Sequence, residues 1–220
     1  MILTVSEVVR REVISHFGVN PDQVRAVPLA ASPLFRPSPE RALVGRPFFL
    51  FVGTLEPRKN VAALIEAWQA TREQTGADLV IAGRNRSDFV PITPSEGLNF
   101  LGEVPDHELP QLYSDALAFV YPTLYEGFGL PVLEAMQCGC PVITSHDPAV
   151  MEVSAGAAIH AGTALELADA MRVIASNPRL RGDLRNAGLA RAGAFSWKGT
   201  ARDTRAVYQE VISEPGGSRS

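Results

Sequence analysis

The chain has 220 residues, 46% of them hydrophobic and 20% charged, and its formal net charge is −4 at pH 7. This composition is typical of a globular protein with a sizeable core, and the acidic balance disfavours nucleic acid as a partner. The two cysteines, Cys138 and Cys140, form neither a zinc-binding spacing nor a disulfide framework, and no apolar run approaches the ~20 residues that cross a bilayer. These features favour a cytoplasmic protein.

The first 32 residues predict a β-α-β unit. Residues 2–5 alternate toward a short strand, Ser6 is suited to cap the helix that follows, and a second short strand is predicted from Val24 to Pro28. Because a strand begins at the first residue, as if the chain had been entered within a domain, we expect a truncated or excised chain. The proline-rich stretch 33–47 predicts a linker.

From residue 48 the pattern changes to strands that are apolar throughout, separated by helical segments. The predicted strands are Phe48–Val52, Leu79–Ala82, Asn99–Leu101, Leu117–Tyr121, Val142–Ser145 and Ala157–His160. The predicted helices are Val61–Thr75, Asp106–Ser114, Leu130–Gln137, Ala164–Ala175, Leu180–Ala194 and Trp197–Ile212. This alternation predicts a Rossmann-like, doubly wound α/β domain over residues 48–213, with a ligand at the carboxyl ends of its parallel strands. The Gly- and Ser-rich residues 214–220 predict a disordered tail.

Residues 121–136 contain an apolar strand, a glycine-bearing loop and a helix. Gly127 and Gly129 leave room for a large anion, and Pro131 suits the first turn of the helix, where a missing N–H group costs nothing. Free backbone N–H groups and the positive end of the helix dipole converge beyond the strand. This geometry is suited to a diphosphate.

Two carboxylates, Glu126 and Glu134, lie eight positions apart on either side of this turn. Beside a diphosphate they are useful if they accept hydrogen bonds from neutral hydroxyl groups, such as those of a ribose or a sugar ring. Alternatively, Glu134 complements the helix dipole and Glu126 caps the loop. The spacing alone leaves both interpretations open.

A second strand–loop–helix segment runs from Phe51 to Asn60. Gly53 allows a ligand to approach the backbone closely, and Arg58 with Lys59 offers two positive charges to match the two negative charges of a diphosphate. An isolated pair of this kind is more often a solvated pair before a helix. The glycine-bearing loop described above favours a functional role.

Several other kinds of site are disfavoured. Gly127-Phe128-Gly129 lacks the third glycine of a dinucleotide-binding loop, no P-loop is present, and the scattered histidines do not predict a metal site. The segment from Arg172 to Arg205 contains eight basic residues and two acidic ones. We interpret this segment as a solvated helical face, with peripheral contact to the anionic inner face of a membrane as the alternative.

Taken together, these segments resemble the group 1 glycosyltransferases, the family 4 class of retaining enzymes with the GT-B fold. The likeness covers essentially the whole chain, and several matched segments in the right order are more specific than any one of them. The segments are Val5-Ser6-Glu7, Val27-Pro28-Leu29-Ala30, Phe51 to Asn60, Phe100 to Val104, Glu126 with Glu134, Glu134 to Ile143, and Phe195-Ser196-Trp197.

The resemblance implies that residues 1–32 are the terminal β-α-β piece of a truncated N-terminal (acceptor) lobe. It also implies a C-terminal lobe that binds a nucleoside-diphosphate sugar. By this resemblance, Arg58 and Lys59 hold the diphosphate, Glu126 bonds the transferred sugar and Glu134 bonds the ribose. Other donor contacts are implied for Gly53, Thr54, Val104, Gly127, Phe128, Gly129 and Leu130. No cofactor or metal is expected, because such enzymes stabilise the departing diphosphate with positive side chains and a helix dipole.

Two departures from the family pattern affect this interpretation. Many relatives carry an arginine where this chain has Thr54, and Arg58 is the candidate substitute. After Glu152 the usual Gly-Asp-Ala-Ala is reduced to Gly156-Ala157-Ala158, a segment that contributes mainly to packing.

We therefore expect a hexosyltransferase donor lobe, with mannosyl transfer slightly favoured and a GDP-, UDP- or ADP-sugar as donor. Transfer to a saccharide or lipid acceptor would need the missing acceptor lobe or a partner subunit, so the chain alone should transfer sugar poorly. The alternatives are a non-catalytic sugar-nucleotide-binding module or subunit, and a sugar-nucleotide epimerase of the same fold.

Overall fold

The computed structural model describes residues 1–38, 45–86, 93 and 95–213. The predicted linker lies partly outside these residues and the predicted tail lies wholly outside them. The N-terminal β-α-β unit is present: β1 (Ile2–Thr4) pairs in parallel with β2 (Val24–Ala26), and α1 (Glu7–Phe17) connects them. The side chain of Ser6 accepts a hydrogen bond from the Val9 N–H and so caps α1 as predicted.

Within the described residues, six strands form one parallel sheet, which confirms the predicted fold class. The strands are β3 (Phe48–Val52), β4 (Asp78–Ala82), β5 (Leu98–Gly102), β6 (Ala118–Tyr121), β7 (Val142–Thr144) and β8 (Ile159–His160). Their order across the sheet is β5-β4-β3-β6-β7-β8. Each predicted strand of this domain appears in the structure, with ends shifted by two residues or fewer.

The central strands are apolar because helices cover both faces of the sheet. Phe49, Leu50 and Phe51 of β3 are fully buried, as is every residue of β6. The ring of Tyr121 stacks on Phe51 and on Phe119, with ring centroids 6.0 and 5.4 Å apart. This aromatic layer joins β3 to β6 immediately below their carboxyl ends.

Helices pack on both sides of the sheet. They are α2 (Val61–Gln69), α3 (Arg72–Thr75), α4 (Leu109–Asp115), α5 (Leu130–Gln137), α6 (Pro148–Ser154), α7 (Ala164–Ser176), α8 (Pro178–Ala192) and α9 (Trp197–Ser213). In the described part of the chain, no helix is both long enough and apolar enough to cross a membrane.

Two helix predictions were incomplete. The helix expected from Val61 to Thr75 is broken at Ala70 and Thr71, where the Thr71 hydroxyl donates to the carbonyls of Ala67 and Trp68 and competes with the helical backbone bonds. The short helix α6 was not predicted. Its signal is Asp147-Pro148, an N-cap residue followed by a proline in the first turn.

The strand order reverses between β3 and β6. From β3 the chain builds outward through β4 and β5, then crosses to β6 and builds outward on the other side through β7 and β8. The loops that follow β3 and β6 therefore begin side by side at the carboxyl edge of the sheet. In doubly wound sheets this switch point is where ligands bind.

The loops after β3 and β4 also touch. The Gly53 N–H donates to the Ala82 carbonyl at 2.9 Å, and the Gly83 N–H donates to the Gly102 carbonyl at 2.7 Å. Gly83 has φ of +149°, and a Cβ atom there would lie 1.9 Å from the Gly53 carbonyl oxygen. No side chain fits at this crossing.

We expect Gly83→Ala to lower the free energy of unfolding by about 3 kcal/mol or more, because the methyl group would force the two backbones apart. Gly182→Ala is the matched control: it lies inside α8, and an added Cβ meets nothing within 4 Å. That change should raise stability by about 0.5–1 kcal/mol. Urea denaturation of both variants measures the difference, and equal midpoints would contradict the steric argument.

Candidate functional site

The loop after β3 packs directly against the loop after β6. The first loop contains a 3-10 turn, Pro57–Lys59. The Arg58 carbonyl in this turn accepts hydrogen bonds from the Leu124 N–H at 2.7 Å and from the Thr123 hydroxyl at 3.2 Å. The two segments that the sequence argument placed in one site are therefore in contact.

Glu126 is the meeting point of these loops. Its side chain is buried, and one oxygen, Oε1, accepts four hydrogen bonds. The donors are Arg58 Nη1 at 2.8 Å, Lys59 Nζ at 2.5 Å, Thr123 Oγ1 at 2.8 Å and the Tyr121 hydroxyl at 2.9 Å. Both predicted cations thus bond to the carboxylate that was predicted to contact a sugar.

The charge of Lys59 is held inside the protein. The residue is 6% exposed, its ammonium group bonds to Tyr121 as well as to Glu126, and it lies 4.7 Å from the centroid of the Tyr121 ring. Burial lowers the pKa of Lys59, an effect that Glu126 opposes. Burial also raises the pKa of Glu126, but the hydrogen bonds and charge of Lys59, with those of Thr123 and Arg58, outweigh it and leave this pKa below its ordinary value. Lys59 Nζ and Glu126 Oε1 thus form an ion pair within the protein.

Arg58 and Arg86 share a second carboxylate. Glu56 lies 2.7 Å from Arg58 Nη2 and 3.0 Å from Arg86 Nη1. We call the five residues Glu56, Arg58, Lys59, Arg86 and Glu126 the Glu126 cluster. Three cations and two carboxylates give this cluster a net charge of plus one.

Helix α5 begins beside the Glu126 cluster. Gly129 is its N-cap residue, with φ of +97°, and no side chain in the described residues caps it. Pro131 has no N–H group and the Val132 N–H donates to the Gly129 carbonyl at 3.0 Å, so the N–H groups of Gly129 and Leu130 are the ones left for an anion. A Cβ on Gly129 would lie 2.8 Å from Val150, so the turn requires glycine. The Phe128 side chain is buried and packs edge-to-face on Phe195, with the ring centroids 5.9 Å apart. Only the backbone of Phe128 therefore lies near the site.

Glu134 lies in the second turn of α5 and accepts a hydrogen bond from the Tyr113 hydroxyl at 3.4 Å. Burial raises the pKa of Glu134 to about 7, and the negative charge of Asp106 adds to this shift. The group therefore exchanges a proton near neutral pH. A carboxyl group of this kind can accept or donate a hydrogen bond.

A cleft of about 350 Å³ opens at the carboxyl ends of β3, β4 and β5. It brings together Gly53, Thr54 and Val104, three residues predicted to contact a nucleotide. The remaining lining residues are Val52, Ala82, Gly83, Arg84, Glu103, Asp106 and Leu109. Among the described residues, those of the Glu126 cluster do not line this cleft. The predicted site therefore has two parts, a cleft on one side and the cluster with the α5 N-terminus on the other.

Asp147 supports the site, and this role was not predicted from the sequence. One of its oxygens accepts from the Glu126 N–H at 3.2 Å, and the other caps α6 by accepting from Ala149 and Val150 at 3.0 and 3.1 Å. Burial raises the pKa of Asp147. The Asp-Pro pair could have identified the cap but not the bond to Glu126, which depends on the neighbouring strand.

The N-terminal β-α-β unit also contacts the site. The Ser6 hydroxyl donates to the Gly127 carbonyl at 2.7 Å, and the two oxygens of Glu152 accept from the first two N–H groups of α1, each at 2.9 Å. The loop that carries Glu126 is therefore fixed from α1 as well. In the part of the chain that the structure describes, no group of three His, Cys, Asp or Glu residues is placed to hold a metal ion.

Comparisons with known proteins identify relatives of this chain. A family model described as "Glycosyl transferases group 1" matches residues 37–191. O-antigen chain mannosyltransferase B of Escherichia coli is 36% identical over an alignment 236 positions long, gaps included, that covers 95% of this chain and 60% of that protein. MMP alpha-(1->4)-mannosyltransferase of Mycolicibacterium hassiacum is 28% identical over an alignment 225 positions long, gaps included, that covers 96% of this chain and 54% of that protein. The chain therefore spans a little over half the length of these relatives.

Solved structures share the fold. The crystal structure of Anabaena HepE in complex with UDP-glucose has a TM-score of 0.81 and 18% sequence identity, covering 95% of this chain and 64% of that chain. At this identity the likeness establishes the fold alone. The six-stranded sheet and its flanking helices are those of GT-B glycosyltransferase structures.

We expect Glu126→Gln to lower the free energy of unfolding by about 3 kcal/mol, because it leaves the buried Lys59 ammonium without a negative partner. Lys59→Met combined with Glu126→Gln should recover part of this loss, since no unpaired charge then remains. Guanidinium denaturation of both single variants and the double variant measures the coupling. Additive losses would show that the two side chains do not depend on each other.

Glu134→Gln should gain stability relative to the original chain as pH rises. The folded-state pKa of Glu134 is about 7 against an ordinary value of 4.5. The stability that this carboxyl contributes is therefore complete below about pH 4.5 and lost as pH rises through about 7. Glutamine does not titrate, so the melting temperature of the variant relative to the original should be higher at pH 8 than at pH 4.5.

The exposed Glu73→Gln in α3 is the control for this pH comparison. It should show no such gain between the two pH values. The interpretation of Glu134 is wrong if both variants follow the original chain in parallel.

Proposed function

The chain belongs to the group 1 glycosyl transferases, and we propose that it binds a nucleoside-diphosphate sugar for retaining transfer of a hexose, with mannose favoured. The observation that carries this proposal is the Glu126 cluster beside the uncapped N-terminus of α5, at the switch point of the sheet. Positive side chains and free backbone N–H groups converge there, as a diphosphate requires. Two relatives named as mannosyltransferases support mannose as the sugar.

In this proposal the diphosphate lies between Arg58, Lys59 and the backbone N–H groups of Gly129 and Leu130. When the glycosyl bond breaks, negative charge develops on the departing nucleoside diphosphate. Cations and helix N–H groups already fixed in place stabilise that charge without reorganising. The same groups make a divalent metal unnecessary, so we propose that the reaction runs without one.

Glu126 has a free oxygen with which to contact the sugar. All four of its hydrogen bonds reach Oε1, and within the described residues none reaches Oε2. A sugar hydroxyl can donate to Oε2 while Oε1 keeps its cations. The Lys59 and Arg58 contacts therefore orient Glu126 for the ligand and do not compete with it.

We propose that Glu134 bonds the ribose and that the base lies in the cleft against Val104. Glu134 lies in the second turn of α5, next to the helix N-terminus that receives the diphosphate. Gly53 and Thr54 line the same cleft as Val104. The nucleotide then spans both parts of the site, with the base in the cleft and the phosphates at the cluster. UDP-glucose in the HepE crystal structure is a ligand of the same class.

Transfer to an acceptor is a separate step, and we propose that this chain performs it poorly by itself. The chain spans 60% and 54% of two relatives, and GT-B enzymes close a second lobe over the acceptor. A separate acceptor-lobe polypeptide that restores turnover would support a role as a donor-binding subunit. Release of a free nucleoside diphosphate distinguishes transfer from epimerisation.

A thermal-shift panel of UDP, GDP, ADP and their sugar conjugates tests donor binding. A ligand at 100 times its dissociation constant should stabilise the chain by about 2.7 kcal/mol. Glu134→Gln should weaken the response, and Arg58→Ala combined with Lys59→Ala should abolish it. Since the buried Lys59 also stabilises the fold, Arg58→Ala alone is the second variant, and it should weaken the response because its guanidinium is partly exposed. An unchanged response in a folded double variant would remove the diphosphate assignment.

A further inference from the structure

We propose that Arg84 binds the diphosphate of the donor, as a cation in addition to Arg58 and Lys59. This inference rests on the proposed function, because it adds a contact to the same ligand. It follows from the charges already paired at the site and from the place of Arg84 in the cleft.

The predicted diphosphate cations are already largely compensated. Arg58 bonds to Glu56 and Glu126, and Lys59 bonds to Glu126. Both cations therefore already have carboxylate partners, whereas the diphosphate of a sugar nucleotide carries two negative charges. A cation without a carboxylate partner would strengthen the attraction for this ligand.

Arg84 is held next to the loop that follows β3. Its carbonyl accepts a hydrogen bond from the Leu55 N–H at 2.9 Å, and the Leu55 carbonyl accepts from the Arg86 N–H at 3.2 Å. The preceding residue, Gly83, lies against the backbone of Gly53. The backbone position of Arg84 beside the site is therefore fixed by both loops.

Arg84 lines the cleft together with Gly53 and Thr54, and it is exposed. Arg84 is the one cationic side chain among the described residues lining the cleft, and no described residue forms a hydrogen bond or ion pair with its guanidinium group. A guanidinium group without a partner at the wall of a cleft is available to an anionic ligand.

The charged residues that line the cleft also favour one orientation of the bound ligand. Glu103 and Asp106, which follow β5, are its two carboxylates, and Arg84, which follows β4, is its cation. Phosphate groups are repelled from the β5 side and attracted to the β4 side, which is nearer to β3 and the Glu126 cluster. The neutral base and its N–H donors suit the carboxylate side. Arg84 thus lies on the side of the cleft that is nearer to the proposed position of the diphosphate.

Titration calorimetry of the full chain tests this assignment with UDP, GDP and ADP and with the corresponding nucleosides. Arg84→Ala should weaken binding of the preferred nucleoside diphosphate about tenfold or more, because one charge-assisted hydrogen bond is lost. Binding of the nucleoside should stay unchanged, since it has no phosphate. Arg84→Lys should retain part of the affinity. Arg179→Ala, which removes an exposed arginine of α8, is the control and should bind like the original chain.

The outcomes separate this inference from the proposed function. If the original chain binds none of the three nucleoside diphosphates, the donor-site proposal fails and Arg84 fails with it. If the original chain binds one of them and Arg84→Ala binds it equally well, only the role of Arg84 is overturned. An equal loss for diphosphate and nucleoside would also overturn it, because Arg84 would then contact the base or ribose. Unchanged melting temperatures of the unliganded variants establish that each one is folded.

Discussion

The site depends on one buried carboxylate oxygen, Oε1 of Glu126, which accepts hydrogen bonds from Arg58, Lys59, Thr123 and Tyr121. Two of these donors follow β3, and the other two belong to β6 and its loop. The interaction therefore joins the two halves of the doubly wound sheet at the point where the strand order reverses. A buried ion pair adds little net stability, but removing either partner leaves a buried charge. Charge compensation thus fixes the geometry of the site, which lies at the carboxyl edge of an apolar sheet.

The apolar sheet explains why such a charge can be placed there. Phe51, Phe119 and Tyr121 form a stacked aromatic layer under the loops, and Tyr121 extends its hydroxyl from this layer to Glu126. Burial raises the pKa of Tyr121, so the phenol keeps its proton and donates. One residue therefore belongs to both the core and the polar site. The negative face of the same ring also attracts the Lys59 ammonium group.

The sequence was sufficient to predict the sheet and the contact between the two loops, but not the interactions within the site. Continuous apolar runs identify parallel strands because both faces are buried, and the glycines and charges after β3 and β6 mark the carboxyl edge. The pairing of Arg58 and Lys59 with Glu126 depends on which groups are removed from water together, which spacing does not reveal. The raised pKa of Glu134 likewise arises from burial by other elements.

The loop that carries Glu126 contains two glycines, yet hydrogen bonds from three other segments of the chain restrain it. The Arg58 carbonyl holds Leu124, Asp147 holds the N–H of Glu126, and Ser6 holds the carbonyl of Gly127. These partners come from three distant parts of the chain, so the loop is held from the loop after β3, from the start of α6 and from the start of α1. Gly129 supplies a positive φ and allows the close approach of Val150, while the hydrogen bonds that restrain the loop are made by residues outside the motif.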